Sequence, residues 1–306
     1  MNIVFMGTPE FAVASLRILF KSKHKISAVV TVPDKPKGRG LKVAPSPVKK
    51  FSLENNLAIL QPEKLKDEKF AGEIKSLNPD LIVVVAFRIL PKEVYTIPSY
   101  GSINLHASLL PKYRGAAPIN RAIINGEKET GVTTFFLRDK VDTGNIIMQN
   151  YCEISEEDDA GSLHDKLMEL GALTVYSTVN LIEQSGGNPP VQNQDDTQAT
   201  PAPKIFKNDC KINWNKPAEK VYNFIRGLSP NPGAYVVYKD KMIKIYKSKK
   251  INEVSGGKHG ALNVIDDKIF VSCSDAMIEV LELQLEGKKR MSAAEFLRGS
   301  KGFFDN

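Results

Sequence analysis

Asn104 and His106 stand two apart in "SINLH", at the end of a short apolar run, with "ASLLPKYRGAAP" directly after them. Alternate residues of a strand point to one face, so both side chains share a side. In open α/β sheets, ligand sites gather at the carboxyl ends of the strands. Two neutral donors aimed at one spot can hold a carbonyl oxygen and stabilise it as it gains negative charge. The competing reading is an Asn and a His satisfied by loop backbone. Asp142, in "RDKVDTGN" between two strand patterns, is ordinarily an Asx-turn residue. Brought beside the His and the Asn by folding, it becomes a candidate base, which spacing alone cannot show. No Ser lies in a nucleophile elbow and no Cys has an obvious His partner, so covalent catalysis is not indicated. The three cysteines are odd in number and widely separated, and the four histidines lack ligand spacing; no metal is expected.

The elements that must carry these residues alternate. "NIVFM" reads as a buried strand, followed by a helix with Phe11, Leu16 and Leu19 on its apolar side. Then come "ISAVVTV", a helix over 46–56, a short "AIL" and a helix near 67–76. "DLIVVVAF" is a continuous Val-rich run, the pattern of a central parallel strand covered on both faces. "SINLH", a helix near 118–125, the strands "GVTTFFL" and "NIIMQNYCEI" and a helix over 161–184 complete the series. Such alternation predicts an α/β, Rossmann-like domain with a mostly parallel sheet. "FMGTPEF", at the first strand-to-helix turn, has one Gly and no Lys-Ser/Thr, so it reads as a tight turn with Pro9 at a helix start.

From 186 to 206 Pro, Gly, Gln and Asn replace the apolar periodicity, as in an interdomain linker. Beyond it a helix opened by Asn215 and Pro217 precedes five short strands, which suggest a small β-barrel of oligonucleotide-binding type. Ser292 and Glu295 form a capping box for a last helix. The expected division is a catalytic domain over 1–187, a linker over 188–206 and a C-terminal domain over 207–306. No apolar run reaches the ~18 residues of a membrane span. The chain enters a strand at once, without a basic leader, so a cytoplasmic address is expected.

The net charge of +7 is unevenly spread. Residues 207–306 hold 18 Lys and Arg against 12 Asp and Glu, and the remainder is nearly balanced at 24 against 23. A basic smaller half suggests a polyanionic partner; the alternative is a solvated Lys-rich surface. Residues 33–50, "PDKPKGRGLKVAPSPVKK", set six basic residues against one acid among four Pro and two Gly. An exposed basic loop of this kind can grip phosphate, or can simply be solvated.

Together "FMGTPEFAV", "PDKPKGRG…APSPVK", "NLHASLLPKYRGAAPI", "ETGVTTF" and "VDTGNI" resemble the methionyl-tRNA formyltransferase family, in order and spacing, through essentially the whole chain. The resemblance implies attack by a methionyl α-amine on the formyl carbon of 10-formyltetrahydrofolate. Asn104 and His106 would stabilise the oxyanion, while Asp142 would fix the imidazole and help move the amine proton. The turn Ser108, Leu109, Leu110, Pro111 would help form the folate site, and the loop carrying Phe87, Ile89 and Leu90 would contact the pterin. The family's loop residue matching Arg39 would meet the acceptor end of initiator tRNA. From the clustering of charge, Lys35, Lys37 and Lys42 of the same loop are expected to reach that end too, and Lys244 and Lys247 of the second domain to grip the phosphate backbone further along. A monomer and no metal are implied. "VVVAFRILP" departs from the family's pattern: it is one residue shorter, with Phe87-Arg88 in place of a Tyr-Gly pair.

Two other readings remain at this stage: a formyltransferase acting on a sugar amine or small metabolite, and a non-catalytic RNA-binding protein on an enzyme scaffold. The basic loop and the basic C-terminal half favour the tRNA enzyme over the former, and the Asn104, His106, Asp142 trio argues against the latter. If the loop meets the reacting end, Arg39→Ala will lower kcat/KM for charged initiator tRNA more than it weakens tRNA binding, a comparison of steady-state kinetics with a direct binding isotherm.

Overall fold

The computed structural model describes residues 1–37, 42–253, 257–300 and 303–304. In chain order its elements begin β1 (Asn2–Gly7), α1 (Glu10–Phe20), β2 (Lys25–Val30), β3 (Lys35–Lys37), β4 (Lys42–Ala44), α2 (Pro47–Glu54), β5 (Ile59–Leu60) and α3 (Glu68–Ser76). β6 (Leu81–Val85), α4 (Lys92–Tyr95), β7 (Ser102–His106), β8 (Arg114–Gly115), α5 (Pro118–Asn125), β9 (Glu129–Phe136), β10 (Ile146–Glu153) and α6 (Ala160–Gln184) follow. Then come β11 (Pro201–Ala202), α7 (Ala218–Leu228), β12 (Ala234–Tyr238), β13 (Lys241–Ile251), β14 (Leu262–Ile265), β15 (Lys268–Ser272), β16 (Met277–Leu285), β17 (Met291–Ser292) and α8 (Ala293–Gly299).

These elements group into two compact units that do not follow chain order. One comprises Met1–Gly115, Thr130–Cys152 and His164–Pro201; the other comprises Ala116–Glu129, Glu153–Leu163 and Ala202–Asn306.

The first unit is built on a seven-stranded sheet in the order β10-β9-β7-β6-β1-β2-β5. The pairs β1–β2, β1–β6, β2–β5 and β6–β7 are parallel, and β7–β9 is antiparallel. The chain winds outward from β1 to β5, then returns to start β6 on the other side of β1. The β1/β6 boundary is therefore a topological switch point, the place where open α/β sheets bind ligands beyond their strand ends. Every residue of "LIVVV" in β6 is buried, as its unbroken apolar run predicts.

Helices cover both faces. Val4, Met6, Ile82 and Val84 pack with Phe70 and Ile74 of α3 and Val94 of α4. On β7, Asn104 pairs with Val84, and Leu105 points the opposite way, onto α6. There Gly171 leaves the room Leu105 needs: a Cβ on it would stand 2.7 Å from Leu105 Cδ2. At the first strand-to-helix turn a Cβ on Gly7 would lie 2.7 Å from Ala12 Cβ and 3.1 Å from the Val85 carbonyl, so close packing explains that glycine.

In the second unit, β12-β13-β16-β15-β14 form an antiparallel path with β17 alongside β16. The pairings among the described residues run from edge to edge, and a closed barrel is not among them. Its core holds Trp214, Ile225, Val280, Leu283 and Phe296. α5 and α7 cross where Gly227 meets Ile124, and Asn120 Nδ2 donates to the Gly227 carbonyl (2.8 Å). Buried Arg226 donates to the carbonyls of Ser155 (3.0 Å) and Asp158 (2.8 Å), tying in the segment before α6. The α8 capping box is formed, with Ser292 Oγ accepting from Glu295 N–H (3.2 Å) and Glu295 Oε2 accepting from Ser292 N–H (2.9 Å). No helix of the described residues is long and apolar enough to cross a membrane.

Gly144, two residues beyond Asp142, lies against β9, where a Cβ would stand 1.6 Å from the Phe136 carbonyl oxygen. Backbone cannot yield as a side-chain tip can, so Gly144→Ala will destabilise the protein by roughly 3 kcal/mol or more. The drop in the urea midpoint measures it, and a loss under about 1 kcal/mol would contradict so close an approach.

Candidate active site

The loops after β1, β6 and β7 emerge at one edge of the sheet because those three strands are adjacent and parallel. β7 ends in His106, whose ring is almost fully buried. His106 Nε2 lies 2.8 Å from the Tyr113 carbonyl. A carbonyl only accepts, so Nε2 carries the proton and is committed to that bond. The other nitrogen, Nδ1, faces Asp142 Oδ2 at 3.8 Å, with side-chain exposures of 7% and 10%. That is ion-pair distance but too long for a hydrogen bond. A proton on Nδ1 would therefore stand before a carboxylate in a nearly dry setting.

Asp142 is held from elsewhere: its Oδ2 accepts from Gly115 N–H (2.9 Å). Its Oδ1 has no hydrogen-bond partner among the described residues, which leaves one oxygen able to take a proton. Asn104 shares the face of His106, about 7 Å along the strand. Its side-chain amide likewise makes no hydrogen bond among the described residues. The backbone-satisfied reading thus holds for one nitrogen of His106 and fails for Asn104. The structure brings Asn104, His106 and Asp142 to one strand end, with a free amide, a free imidazole nitrogen and a free carboxylate oxygen.

The other sequence-predicted residues divide into core and surface. Ser108 is buried and donates to the Lys112 carbonyl (2.7 Å). Leu110 packs with Phe135 and Ile146, and Leu90 packs in the cluster under α3. Both side chains are spent in the core. Ile89 is 74% exposed. The Ser108–Pro111 turn is held by residues that sequence analysis missed. Thr133 Oγ1 donates to the Ser108 carbonyl (2.6 Å) and accepts from Leu110 N–H (3.1 Å), while Gln149 Nε2 donates to the Leu110 carbonyl (2.9 Å). Thr133 lies within "ETGVTTF" but carries no signal of this duty, and Gln149 stands in no motif; both lie in strands that border the site.

The loop after β6 carries the departure noted in the sequence. Ala86 takes a left-handed backbone (φ +47°). Arg88 reaches back to the carbonyls of Pro62 (2.7 Å) and Glu63 (2.9 Å) and lies over the Phe87 ring (5.2 Å). Burial pushes the Arg88 guanidinium below its usual range. Among the described residues the backbone of 87–90 makes no hydrogen bonds, and Thr8 Oγ1, just past β1, is buried without a partner. Unspent amides, carbonyls and a hydroxyl at a switch point fit a heterocycle with hydrogen-bonding edges such as a pterin. No three His, Cys, Asp or Glu residues among those described cluster to hold a metal ion.

Of the basic residues, Arg39 lies outside the described residues. Lys35, Lys37 and Lys42 stand on the short β3–β4 ladder, where Lys37 pairs with Lys42. On β13, Lys244 Nζ is committed to the Pro232 carbonyl (2.6 Å) and Lys250 to Glu219, while Lys241, Lys247 and Lys249 face solvent.

The formyl transferase family matches residues 1–179, and the formyl transferase C-terminal domain matches residues 204–301. A methionyl-tRNA formyltransferase of Flavobacterium johnsoniae is 48% identical over 303 residues, 98% of this chain and 96% of that one. One of Clostridioides difficile is 47% identical over 302 residues, 98% and 97% of the two chains. The crystal structure of an N-formyltransferase from Helicobacter canadensis, in complex with folinic acid and dTDP-3-aminofucose, superposes with a TM-score of 0.69. It has 22% identity and covers 94% of this chain and 99% of that one, a likeness of fold. By its two matching domains and its near full-length relatives, this chain belongs to the methionyl-tRNA formyltransferase family.

Proposed function

We propose that the chain transfers the formyl group of 10-formyltetrahydrofolate to the α-amine of methionyl initiator tRNA, giving the formylmethionyl-tRNA used in translation initiation. The observation that carries this is the meeting of unspent polar groups at the end of β7, in a chain nearly half identical to methionyl-tRNA formyltransferases along its length. The sugar-amine alternative has behind it likenesses of fold at 22 and 24% identity.

In this reading the donor, when bound, supplies an electrophilic formyl carbon. The Asn104 amide donates to the formyl oxygen as it gains charge. Nε2 of His106 is held by Tyr113, so the ring can add a second donor only through a protonated Nδ1. Asp142 faces that nitrogen, and its free Oδ1 takes the proton released by the amine and passes it to N10 of the donor as the formyl C–N10 bond breaks and tetrahydrofolate leaves. The backbone of residues 87–90, without hydrogen bonds among the described residues, and the Ser108–Pro111 turn are assigned to the folate. Residues 1–187 carry the chemistry, 188–206 connect, and 207–306 grip tRNA through lysines of the C-terminal sheet. A monomer working in the cytoplasm without a metal belongs to the same proposal and rests on the family resemblance.

The direct test supplies labelled formyl donor with charged initiator or elongator tRNA and looks for formylmethionine on the initiator alone. Asn104→Ala or His106→Ala should each lower kcat by roughly 10²–10³-fold, the cost of losing an oxyanion donor. Near-normal turnover in either variant would remove that residue from the oxyanion site. A backbone grip acts by counterion release, so each lost phosphate contact should flatten the salt dependence of tRNA binding by about one unit of slope. Lys247→Ala with Lys249→Ala should accordingly raise KM for tRNA and reduce the slope at nearly constant kcat. Unchanged KM and slope across a salt series would exclude this face from tRNA binding.

A further inference from the structure

Composition marks 188–206 as a linker, yet residues 192–200 are bonded to the segments that carry Asp142 and Tyr113. Gln192 exchanges both backbone hydrogen bonds with Ile146 (2.8 Å each). Gln194 Nε2 donates to the carbonyls of Asp142 (2.9 Å) and Gly144 (2.8 Å). Its Oε1 accepts from Arg114 Nε (3.1 Å) and Nη2 (2.7 Å), and Arg114 Nη2 also pairs with Asp196 (2.7 Å). Thr200 closes the arrangement: its carbonyl accepts from Arg114 N–H and its hydroxyl from Tyr113 N–H, both at 2.9 Å.

The turn that Gln194 holds needs holding. Asp142 stands at φ +55°, in the left-handed region that costs a non-glycine residue energy. From that backbone position its carboxylate reaches Gly115 N–H. Gly115 adjoins Arg114, the residue whose guanidinium fixes the Gln194 amide. One side-chain amide therefore sets the Asp142 turn and the β8 segment against each other.

We propose that Gln194, fixed by Arg114, is a positioning residue that sets the Asp142 carboxylate at His106 Nδ1. This rests on the assignment of Asp142 to the chemistry made above. The role calls for an amide: two N–H donors for two carbonyls and an oxygen for the guanidinium. Met has neither, and Glu keeps the acceptor while losing both donors.

The test is formylation of charged initiator tRNA by Gln194→Met, Gln194→Glu, Asp142→Asn and the double variant Gln194→Glu with Asp142→Asn, with thermal unfolding of each. Misplacing a catalytic group by about 1 Å can cost ~10²-fold, so both Gln194 variants should lose roughly 10–10²-fold in kcat, at a nearly unchanged KM for tRNA. Adding Gln194→Glu to Asp142→Asn should cost less than about two-fold more, since the group being positioned is already gone. Normal kcat in Gln194→Glu overturns the proposal, because the lost donors would then be idle. So does an equal loss in both backgrounds, or a loss that follows unfolding temperature alone. If Asp142→Asn itself turns over normally, the assignment of Asp142 fails and this inference fails with it. An impaired Asp142→Asn beside a normal Gln194→Glu rejects the positioning role alone.

Discussion

His106 and Asp142 depend on one three-residue piece of backbone. The carbonyl of Tyr113 takes the His106 Nε2 proton, and the amide of Gly115 meets Asp142 Oδ2. Both bonds are made by main-chain groups, so the side chains at 113 and 115 leave no mark of this duty. Because Nε2 is occupied, the proton chemistry of the ring is confined to Nδ1, on the side where Asp142 stands. An alternative course for residues 113–115 would release the imidazole and the carboxylate together.

That piece of chain is only as well placed as the strand before it. β7 lies between β6 and β9, with Asn104 and His106 on one face and Leu105 pressed onto α6 at Gly171. A strand packed on both sides cannot roll, so the two polar residues keep their common direction. On the far side of Asp142, Gly144 lets the chain run against the Phe136 carbonyl of β9, which returns the turn to the sheet within two residues.

Much of this was legible in the sequence. The unbroken "LIVVV" announced a buried central strand, and the helices over 47–54, 68–76, 118–125 and 160–184 stand within a residue or two of their periodic patterns. Ser292 and Glu295 declared a helix start that the capping bonds form. What was not legible depends on contacts across long separations. Spacing cannot place Asp142 beside His106, 36 positions away, nor show that Lys244 Nζ donates to the Pro232 carbonyl. Residues 192–200 looked like a linker because Gln, Asn, Asp and Thr read alike whether they bond to water or to a neighbouring carbonyl. The antiparallel pairing of β9 with β7 was equally invisible, since a fully buried strand has the same pattern in either direction.

The interleaving of the two units has a consequence for how the molecule is made. α5 and the carbonyls of Ser155 and Asp158 belong with Gly227 and Arg226, which leave the ribosome some seventy to a hundred residues later. Until then the contacts that Gly227 and Arg226 make with these segments cannot form, and the stretches stand exposed on that side although β1 to β10 have already been synthesised. A fragment cut near residue 187 would carry the same exposed stretches permanently. The C-terminal part is thus not an appended module that could be exchanged at the linker. Its foundations are laid in two earlier excursions of the chain, and a graft that respects the fold must bring residues 116–129 and 153–163 with it.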